Sequence, residues 1–472
     1  MNRKAIDFIK NFSYTLFSNL VSLLISALVV LVVPKLIGVE EYGYWQLYLF
    51  YTSYVGFLHF GWNDGVYLRC GGKDYDKIDK KLLFSQYHML VISQLLIGMS
   101  IALLAVFFVR DPERMFIFQM TALCLVIVNS RYMLLFLLQA TNRIKGYAQI
   151  TILDRVTYLG LVLVLLAFGV REYKLMIVAD LAGKFISLLF AMYSCRDIVF
   201  RRLSDFYFSF RETFLNISVG IKLMFSNIAS KFVLGFVKFG IERSWDVATF
   251  GKVSLTLSVS NLVMLFINAI GLVMYPVLRR TREEKLSEIY TTMRDLLMVL
   301  LLGALVVYYP LKSTLSKWLP DYADSLNYMG MLFPIMVFEG KMSLLINTYL
   351  KALRMEKRIL VVNVISLAVS ALLTLITTVI IKDLDLAIIS IVGLLAFRSI
   401  IAEVVLSKKL AIPVYKDIIL EIIMSIIFIS TAWLINTPMV MVFYGLAYLI
   451  YLCVKRSDIC ISIANLKQLL RS

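Results

Sequence analysis

Three lysines lie within one apolar segment, residues 216–240, that contains no acidic residue. Lys231 and Lys238 are seven positions apart, so on an α-helix they lie within about 20° of each other. Asn227 lies about 40° from Lys231 on the same helix, and Lys222 adds a further ammonium group. Ammonium groups without neighbouring carboxylates favour an anionic ligand such as a diphosphate, to which lysine binds as a point charge.

Acidic residues also occur in the apolar segments of the chain. Asp180 and Lys184 are four positions apart on one helix face, and Asp154 adjoins Arg155, which predicts local neutralisation of both acids. Three of the acids are candidates for coupling to H⁺ or Na⁺, and the sequence does not rank them. These three are Asp64, Glu339 and Glu403.

Other kinds of chemistry are not indicated. The five cysteines show no CxxC spacing, and the two histidines lack the partners that a metal site or a catalytic triad needs. No GxxxxGK[ST] sequence occurs, so we expect no ATP hydrolysis. The net charge of +17 is not gathered into a basic arm of the kind that binds nucleic acid. We therefore expect no cofactor, no metal and no nucleic-acid partner.

The apolar segments are long enough to cross a membrane. Hydrophobic residues make up 60% of the chain and the mean hydropathy is +0.83, whereas soluble proteins are about 45 to 50% apolar. A helix needs roughly 20 apolar residues to span the hydrocarbon layer. The sequence predicts an all-α polytopic membrane protein with about fourteen spans. They are residues 12–33, 43–66, 82–109, 115–140, 149–169, 175–195, 216–240, 249–277, 289–309, 325–350, 359–381, 385–406, 415–435 and 438–454.

The distribution of lysine and arginine predicts the orientation. Connections on the side of the N-terminus hold 30 of the 48 basic residues, and those on the opposite side hold nine. Cytoplasmic loops are enriched in these residues. Both termini are therefore expected in the cytoplasm, with the protein in the cytoplasmic (inner) membrane of the cell and its charge attracted to anionic membrane lipids.

Span eight, residues 249–277, carries a second polar stripe. Its polar side chains fall within a sector of about 80° of a helix. Two such stripes on consecutive spans predict a water-filled cavity, because facing lipid would leave polar groups unsatisfied. Lys222 and Lys238 have an alternative interpretation, in which they extend to the membrane interfaces. The stripe consists of Ser254, Ser258, Asn261 and Asn268.

The two halves of the chain resemble each other. Residues 17–20 (FSNL) match residues 225–228 (FSNI) at an offset of 208, so Asn19 corresponds to Asn227. Further matches follow in the same order, and six spans separate each pair. This predicts a parallel duplication of the kind on which transporters build alternating access. The expected domains are an N-lobe at 1–195 (spans one to six), a cytoplasmic linker at 196–215, a C-lobe at 216–406 (spans seven to twelve), and an appended span pair with a tail at 407–472.

The linker 196–215 is rich in arginine and phenylalanine. This composition predicts an amphipathic helix that lies on the membrane surface.

Two motifs resemble the polysaccharide-export branch of the multidrug/oligosaccharidyl-lipid/polysaccharide exporter superfamily, the lipid-linked oligosaccharide or O-antigen flippases. They are PKLIGVEEYG at 34–43 and FGWNDG at 60–65, followed by Arg69. The resemblance implies two pseudo-symmetric six-helix lobes arranged in a V, with a cavity lined by spans one, two, seven and eight. It also implies an undecaprenyl-diphosphate-linked glycan as cargo. The candidate cargo-binding residues are then Lys231, Lys238, Asn227, Lys222, Asn19, Asn261, Asn268 and Arg69.

Other functions compete with this one. A cation-coupled multidrug antiporter of the same superfamily should carry unpaired acids, which the lysine excess in span seven disfavours. A flippase for a lipid-linked peptidoglycan precursor is equally compatible with the residues. A glycan polymerase or acyltransferase needs catalytic residues in a sizeable outer loop, and the longest one expected, residues 310–324, lacks an acid/base pair. We therefore expect a transporter without catalytic residues.

Overall fold

The computed structural model describes the backbone of residues 3–280, 283–434 and 440–471, and the side chains of residues 13–262, 264, 285–433 and 440–465. These residues are almost entirely helical. They form two compact units, Met1–Ile228 and Ala229–Ser472. The division falls inside a long helix rather than in the linker predicted at 196–215. The lobe limits derived from the duplication stay a prediction.

The first unit is built mainly from long apolar helices. Two of them begin where an aspartate caps free backbone N–H groups: Asp79 accepts from Leu82 N at 2.9 Å and Asp111 accepts from Glu113 N at 3.0 Å. The helices are α1 (Arg3–Leu36), α2 (Val39–Thr52), α3 (Trp62–Cys70), α4 (Lys80–Phe108), α5 (Pro112–Ala140), α6 (Ile144–Ala167), α7 (Tyr173–Ser194), α8 (Arg196–Val199) and α9 (Phe210–Ser244).

The predicted span 43–66 is interrupted, which corrects the expectation of one continuous helix. α2 ends at Thr52, a short 3₁₀ turn follows at Val55–Phe57, and α3 begins only at Trp62. Side chains from α4 and α5 bind two backbone carbonyls of the break. Asn129 donates to Val55 O at 3.0 Å and Gln94 donates to Leu58 O at 3.2 Å. Such partners make a break inside an apolar layer tolerable.

The segment 196–215 does not form the single amphipathic helix that its composition predicts. It contains the four-residue α8, a 3₁₀ turn at Leu203–Asp205 and the first turns of α9. Between them, backbone N–H groups bind side chains of α4 instead of a helix ladder. Tyr207 N donates to Ser85 Oγ at 3.1 Å, and Ser209 N donates to Met89 Sδ at 3.4 Å. These contacts favour an extended chain over a helix.

The second unit contains the remaining helices and two π-helical stretches. Asp383 caps α17 by accepting from Leu386 N at 2.9 Å. The π-helical stretches are Lys341–Ile346 and Leu375–Ile380. The helices are α10 (Val247–Arg280), α11 (Glu283–Ala304), α12 (Tyr308–Trp318), α13 (Tyr328–Leu332), α14 (Ile335–Gly340), α15 (Asn347–Ala352), α16 (Glu356–Thr374), α17 (Leu384–Leu410), α18 (Tyr415–Leu434), α19 (Val440–Val454) and α20 (Arg456–Arg471).

Two predicted spans in this unit differ from the structure. The span 325–350 is a bent pair, Ser325–Leu332 and Ile335–Ala352, that turns by 41°. Pro334 lies at the bend, where proline removes a helix hydrogen bond. The span expected to end at 309 continues to Trp318 as one stretch, Lys285–Trp318. The outer connection predicted at 310–324 is therefore largely helical.

Among the residues that the structure describes, nine helical stretches are long and apolar enough to cross a membrane, or ten if the bent pair is counted. The chain is thus an all-helical, multi-pass membrane protein. Each unit has an apolar core, which in the first includes Trp62 and Leu134 and in the second Leu345 and Leu406. The count of fourteen spans stays a prediction.

Candidate functional site: a basic cavity at the end of α3

The FGWNDG motif lies where α3 crosses α9 at backbone contact distance. Gly61 and Gly65 are four residues apart, and Gly61 has a left-handed backbone with φ +83°. A Cβ at Gly65 would lie 1.9 Å from Asn216 O, and a Cβ at Gly220 would lie 2.0 Å from Gly61 O. Small residues at this spacing allow helix backbones to touch within membranes. The motif therefore fixes α3 against α9.

Arg69 follows Gly65 by about one turn of α3 and faces the first turns of α9. Its Nη1 donates to Asn216 Oδ1 at 2.6 Å, and its Nη2 donates to Glu212 Oε2 at 2.7 Å. The Arg69 side chain keeps 36% of its surface exposed. Because a guanidinium carries five N–H donors, these two bonds leave capacity for an incoming anion.

A buried glutamine positions Asn216. Gln86 is fully buried, and its Oε1 accepts from Asn216 Nδ2 at 3.1 Å and from Trp62 Nε1 at 2.8 Å. Its Nε2 donates to Ser209 Oγ at 2.6 Å. A satisfied buried polar network of this kind is rigid. The orientation of Arg69 is therefore set by three elements, α3, α4 and α9.

These side chains border a cavity of about 240 Å³. Val66 and Leu82 contribute apolar lining. The lining itself holds three cations and one carboxylate, and two further carboxylates, Glu212 and Asp74, pair with Arg69 and Lys77 from outside the lining. The polar lining residues are Arg69, Lys73, Lys77, Asp79, Gln86 and Asn216.

The loop 71–79 that closes the cavity is held by Tyr75. Its hydroxyl donates to Asp197 Oδ1 at 2.8 Å, and the guanidinium of Arg143 lies 3.6 Å from the ring centroid. Lys80 Nζ lies 2.7 Å from Asp197 Oδ2. Partial burial opposes the charge of Asp197, but the hydrogen bonds from Lys80 and Tyr75 outweigh it and lower the pKa of the carboxyl. The loop belongs to a connection predicted to be cytoplasmic.

Lys77 of the same loop is paired locally. Its Nζ lies 2.7 Å from Asp74 Oδ2, and both side chains are largely exposed. The hydrogen bond and the opposite charge raise the pKa of Lys77 and lower that of Asp74. Lys73 is exposed. Lys73 and Arg69 are therefore the cations best placed to meet a ligand.

The lysine stripe of α9 is divided between the two units. Lys222 and Asn227 belong to the first unit, and Lys231 and Lys238 belong to the second. Lys238 is half-buried, with its Nζ 5.2 Å from the ring centroid of Phe250, whereas the other three side chains are exposed. Their shared role in binding cargo stays a prediction.

The asparagines proposed from span one and span eight belong to different units. Asn19 on α1 is exposed and Asn261 on α10 is half-buried. The side chain of Asn268 lies outside the described residues. The second polar stripe stays a prediction.

Inside the first unit, charged side chains form ion pairs that the sequence spacing alone does not predict. The predicted contact between Asp180 and Lys184 is confirmed. Asp154 pairs with Arg131 at 2.7 Å and not with Arg155, because adjacent residues on a helix do not face each other. Asp64, one of the acids considered for ion coupling, is buried with its Oδ2 3.7 Å from Nε2 of His59.

The other two ion-coupling candidates form ion pairs in the second unit. Arg398 Nη2 donates to both carboxylate oxygens of Glu339, at 3.1 and 3.2 Å. Lys341 Nζ donates to Glu403 Oε2 at 2.7 Å. Their part in ion coupling stays a prediction, and their visible role is to neutralise buried cations.

Sequence reasoning identified Arg69 but missed Gln86, Asn216 and Glu212. Gln86 and Asn216 are amides inside or at the edge of apolar segments, and polar residues in such positions are a usable signal of function. Their convergence could not be read from the sequence, because 130 positions separate the two amides.

Comparison with known proteins places these features in a family. Residues 32–317 match the sequence model of a family described as "Polysaccharide biosynthesis protein". A comparison with curated proteins finds no match. The matched region contains FGWNDG, Arg69, Gln86 and Asn216.

Solved structures show the same fold at low sequence identity. The lipid II flippase MurJ in an inward closed conformation is 14% identical, with 95% of this chain and 99% of that chain covered and a TM-score of 0.64. An inward-facing MATE family multidrug resistance transporter of the MOP superfamily is 15% identical, with 82% and 96% covered and a TM-score of 0.56. A MOP superfamily transporter from Pyrococcus furiosus is 14% identical, with 85% and 96% covered and a TM-score of 0.50.

The family match extends over more than half of the chain, and the resemblance seen in the 34–43 and 60–65 motifs is confirmed. This protein belongs to the polysaccharide biosynthesis protein family and has the fold of MOP superfamily transporters.

Proposed function

We propose that the chain is a flippase that moves an undecaprenyl-diphosphate-linked oligosaccharide from the cytoplasmic to the outer leaflet for surface polysaccharide biosynthesis. The family membership and the transporter fold support this proposal. The observation that carries it is the basic cavity around Arg69, beside a loop predicted to be cytoplasmic. A diphosphate presented from the cytoplasm would meet this cavity first.

The cavity suits a phosphate chemically. A guanidinium binds phosphate oxygens through paired N–H donors, and an ammonium adds a point charge. Arg69 is held in place by Asn216, while Glu212 occupies one of its nitrogens. An incoming phosphate competes with Glu212 for that nitrogen. Glu212 therefore keeps Arg69 neutralised in the absence of cargo and weakens cargo binding.

The membrane layout is part of the same proposal. We propose fourteen spans in two six-helix lobes with an appended pair, both termini in the cytoplasm, and location in the inner membrane. Lys231 and Lys238 are proposed to contact the cargo during alternating access, whereas its prenyl tail stays in lipid. The energy would come from an H⁺ or Na⁺ gradient or from the cargo's own gradient.

Equilibrium binding of radiolabelled undecaprenyl-diphosphate-linked glycan to the purified protein tests the cavity. We expect Arg69→Gln and Lys73→Gln to weaken binding and Glu212→Gln to strengthen it. Lys81→Gln is the matched control, because it removes a charge from the same connection without bordering the cavity. Equal affinity in Arg69→Gln and wild type would refute the role of the cavity.

The same assay separates the cargo classes. A lipid-linked peptidoglycan precursor also carries a diphosphate, so the cavity alone admits both. Tighter binding of the peptidoglycan precursor than of the oligosaccharide carrier would reassign the cargo. Binding of organic cations instead of either lipid would favour the multidrug antiporter.

A further inference from the structure

A fully buried lysine in the second unit contacts two carboxylates. Lys341 opens the π-helical stretch Lys341–Ile346, and its Nζ donates to Glu403 Oε2 at 2.7 Å and to Glu421 Oε2. The exposed fractions of the three side chains are 0, 0 and 2%. The ammonium of Lys341 thus contacts one carboxylate from α17 and one from α18, and all three groups are shielded from water.

The neighbouring cations are engaged by other acids. Arg294 Nη2 lies 2.5 Å from Asp417 Oδ2. Lys455 Nζ lies 2.6 Å from Asp417 Oδ1 and 2.9 Å from Asp295 Oδ1. The ion pairs of Arg294 and Lys455 in this cluster are thus with Asp417 and Asp295, and neither cation forms an ion pair with Glu403 or Glu421 among the described residues.

The buried groups carry more negative than positive charge when all are ionised. Buried charges are tolerated only when they are paired. Asp458, which is one-third exposed, is shared between Lys455 and the exposed Lys416 and does not change the balance. Three cations, Lys341, Arg294 and Lys455, face four carboxylates, Glu403, Glu421, Asp417 and Asp295.

The two glutamates that contact Lys341 differ in the hydrogen bonding of their other carboxylate oxygen, Oε1. Glu403 Oε1 accepts a hydrogen bond from the hydroxyl of Tyr290 at 3.0 Å. Glu421 Oε1 is buried, and no described residue donates to it. Tyr451 on α19 is a further titratable neighbour of Glu421. A buried, negatively charged carboxylate oxygen that accepts no hydrogen bond is unfavourable. If that oxygen carries a proton, it is neutral and needs no hydrogen-bond donor.

We propose that the cluster of Lys341, Glu403 and Glu421 is a proton-binding site in which Glu421 carries one exchangeable proton. The proton cancels the excess negative charge while Glu421 Oε2 still accepts from Lys341. Exposure of the cluster to water would stabilise the charged form of Glu421 and release the proton. The site is defined by this chain alone, so it does not depend on the identity of the cargo.

Infrared difference spectroscopy on the purified full-length protein tests the proposal, because a protonated carboxyl has a carbonyl stretching band that a carboxylate lacks. We expect the wild-type protein at neutral pH to show such a band from a buried carboxyl. Glu421→Gln keeps the size of the side chain and its acceptor for Lys341, and it should remove one band. Glu339→Gln is the matched control and should remove none, because Arg398 already balances Glu339.

Each outcome decides between the possibilities. Absence of the band from the wild-type protein at neutral pH overturns the proposal, as does its persistence in Glu421→Gln. Loss of the band in Glu403→Gln but not in Glu421→Gln overturns the assignment to Glu421. Should Glu421→Gln fail to fold, Glu421→Asp retains the carboxyl and must shift the band. Failure of cargo binding at Arg69 would leave this measurement unaffected, so the two proposals can fail separately.

Discussion

Substitution of Gly65 by alanine probes the crossing that holds the cavity together. The added Cβ would lie 1.9 Å from Asn216 O and 2.5 Å from its carbonyl carbon. Both atoms belong to the backbone, so neither can rotate away. At an ordinary contact distance of about 3.5 Å, α3 and α9 must separate locally by about 1.5 Å.

The cost of this separation has three parts. Overpacking of a tight interface costs about 1–3 kcal/mol. Loss of the 2.6 Å bond between Arg69 and Asn216 adds about 1.5–3 kcal/mol, because one partner is charged. Replacement of a helical glycine by alanine returns about 0.5–1 kcal/mol. We expect a net loss of about 1.5–5.5 kcal/mol in the free energy of unfolding.

Unfolding of the purified protein in one detergent, followed by circular dichroism against denaturant, measures this loss. Gly160→Ala in α6 is the matched control, since no atom lies within 4 Å of its would-be Cβ. The control should be neutral or slightly stabilising. The double variant Gly65→Ala/Gly220→Ala should lose less than the sum of the single losses, because both alanines open the same crossing. Equal stabilities of Gly65→Ala and Gly160→Ala would refute the close approach of the helices.

Three further predictions concern buried or bridging charges. The folded-state pKa of Asp197 lies below its ordinary value of 3.8, so its pairing stabilises the protein above that value and is lost as the pH falls through the folded pKa. The stability difference between wild type and Asp197→Asn should therefore stay constant from about pH 7 to about pH 5 and shrink only below about pH 4, as pH-dependent unfolding will show. Arg131→Met leaves the buried Asp154 uncompensated and should cost about 3–5 kcal/mol in unfolding titrations, whereas Arg131→Met/Asp154→Leu should cost less; equal losses would contradict the pairing. Lys455→Met removes the ammonium shared by Asp295, Asp417 and Asp458, so limited proteolysis should cleave α20 faster than in wild type or Lys455→Arg, and unchanged cleavage would contradict the role of this bridge.

Hydropathy predicts the long helices of this fold well and its irregular places poorly. α4, α5 and α17 lie close to the expected spans 82–109, 115–140 and 385–406, because their apolar runs are continuous. Hydropathy averaged over a window of residues does not reveal the break between α2 and α3. Two of its carbonyls are bound by side chains that come from distant parts of the chain.

The candidate site was predictable only in part for a similar reason. Arg69 follows a recognisable motif, but the residues that orient it lie on other helices. Ion pairs were also predictable only where they are local. The pair of Asp180 and Lys184 lies on one helix and was predicted, whereas Asp154 pairs with a residue of another helix, α5, which the spacing did not predict. Contacts between distant segments depend on helix packing, which a single sequence does not encode in its spacing.

Translocation by the reconstituted full-length protein tests the central claim most directly. Proteoliposomes with labelled undecaprenyl-diphosphate-linked oligosaccharide in one leaflet should show its transfer to the other leaflet, at a rate above that of protein-free vesicles. Arg69→Gln should lower this rate and Lys81→Gln should not. Transfer at the protein-free rate, or an unchanged rate in Arg69→Gln, would contradict a flippase that takes up its cargo through this cavity.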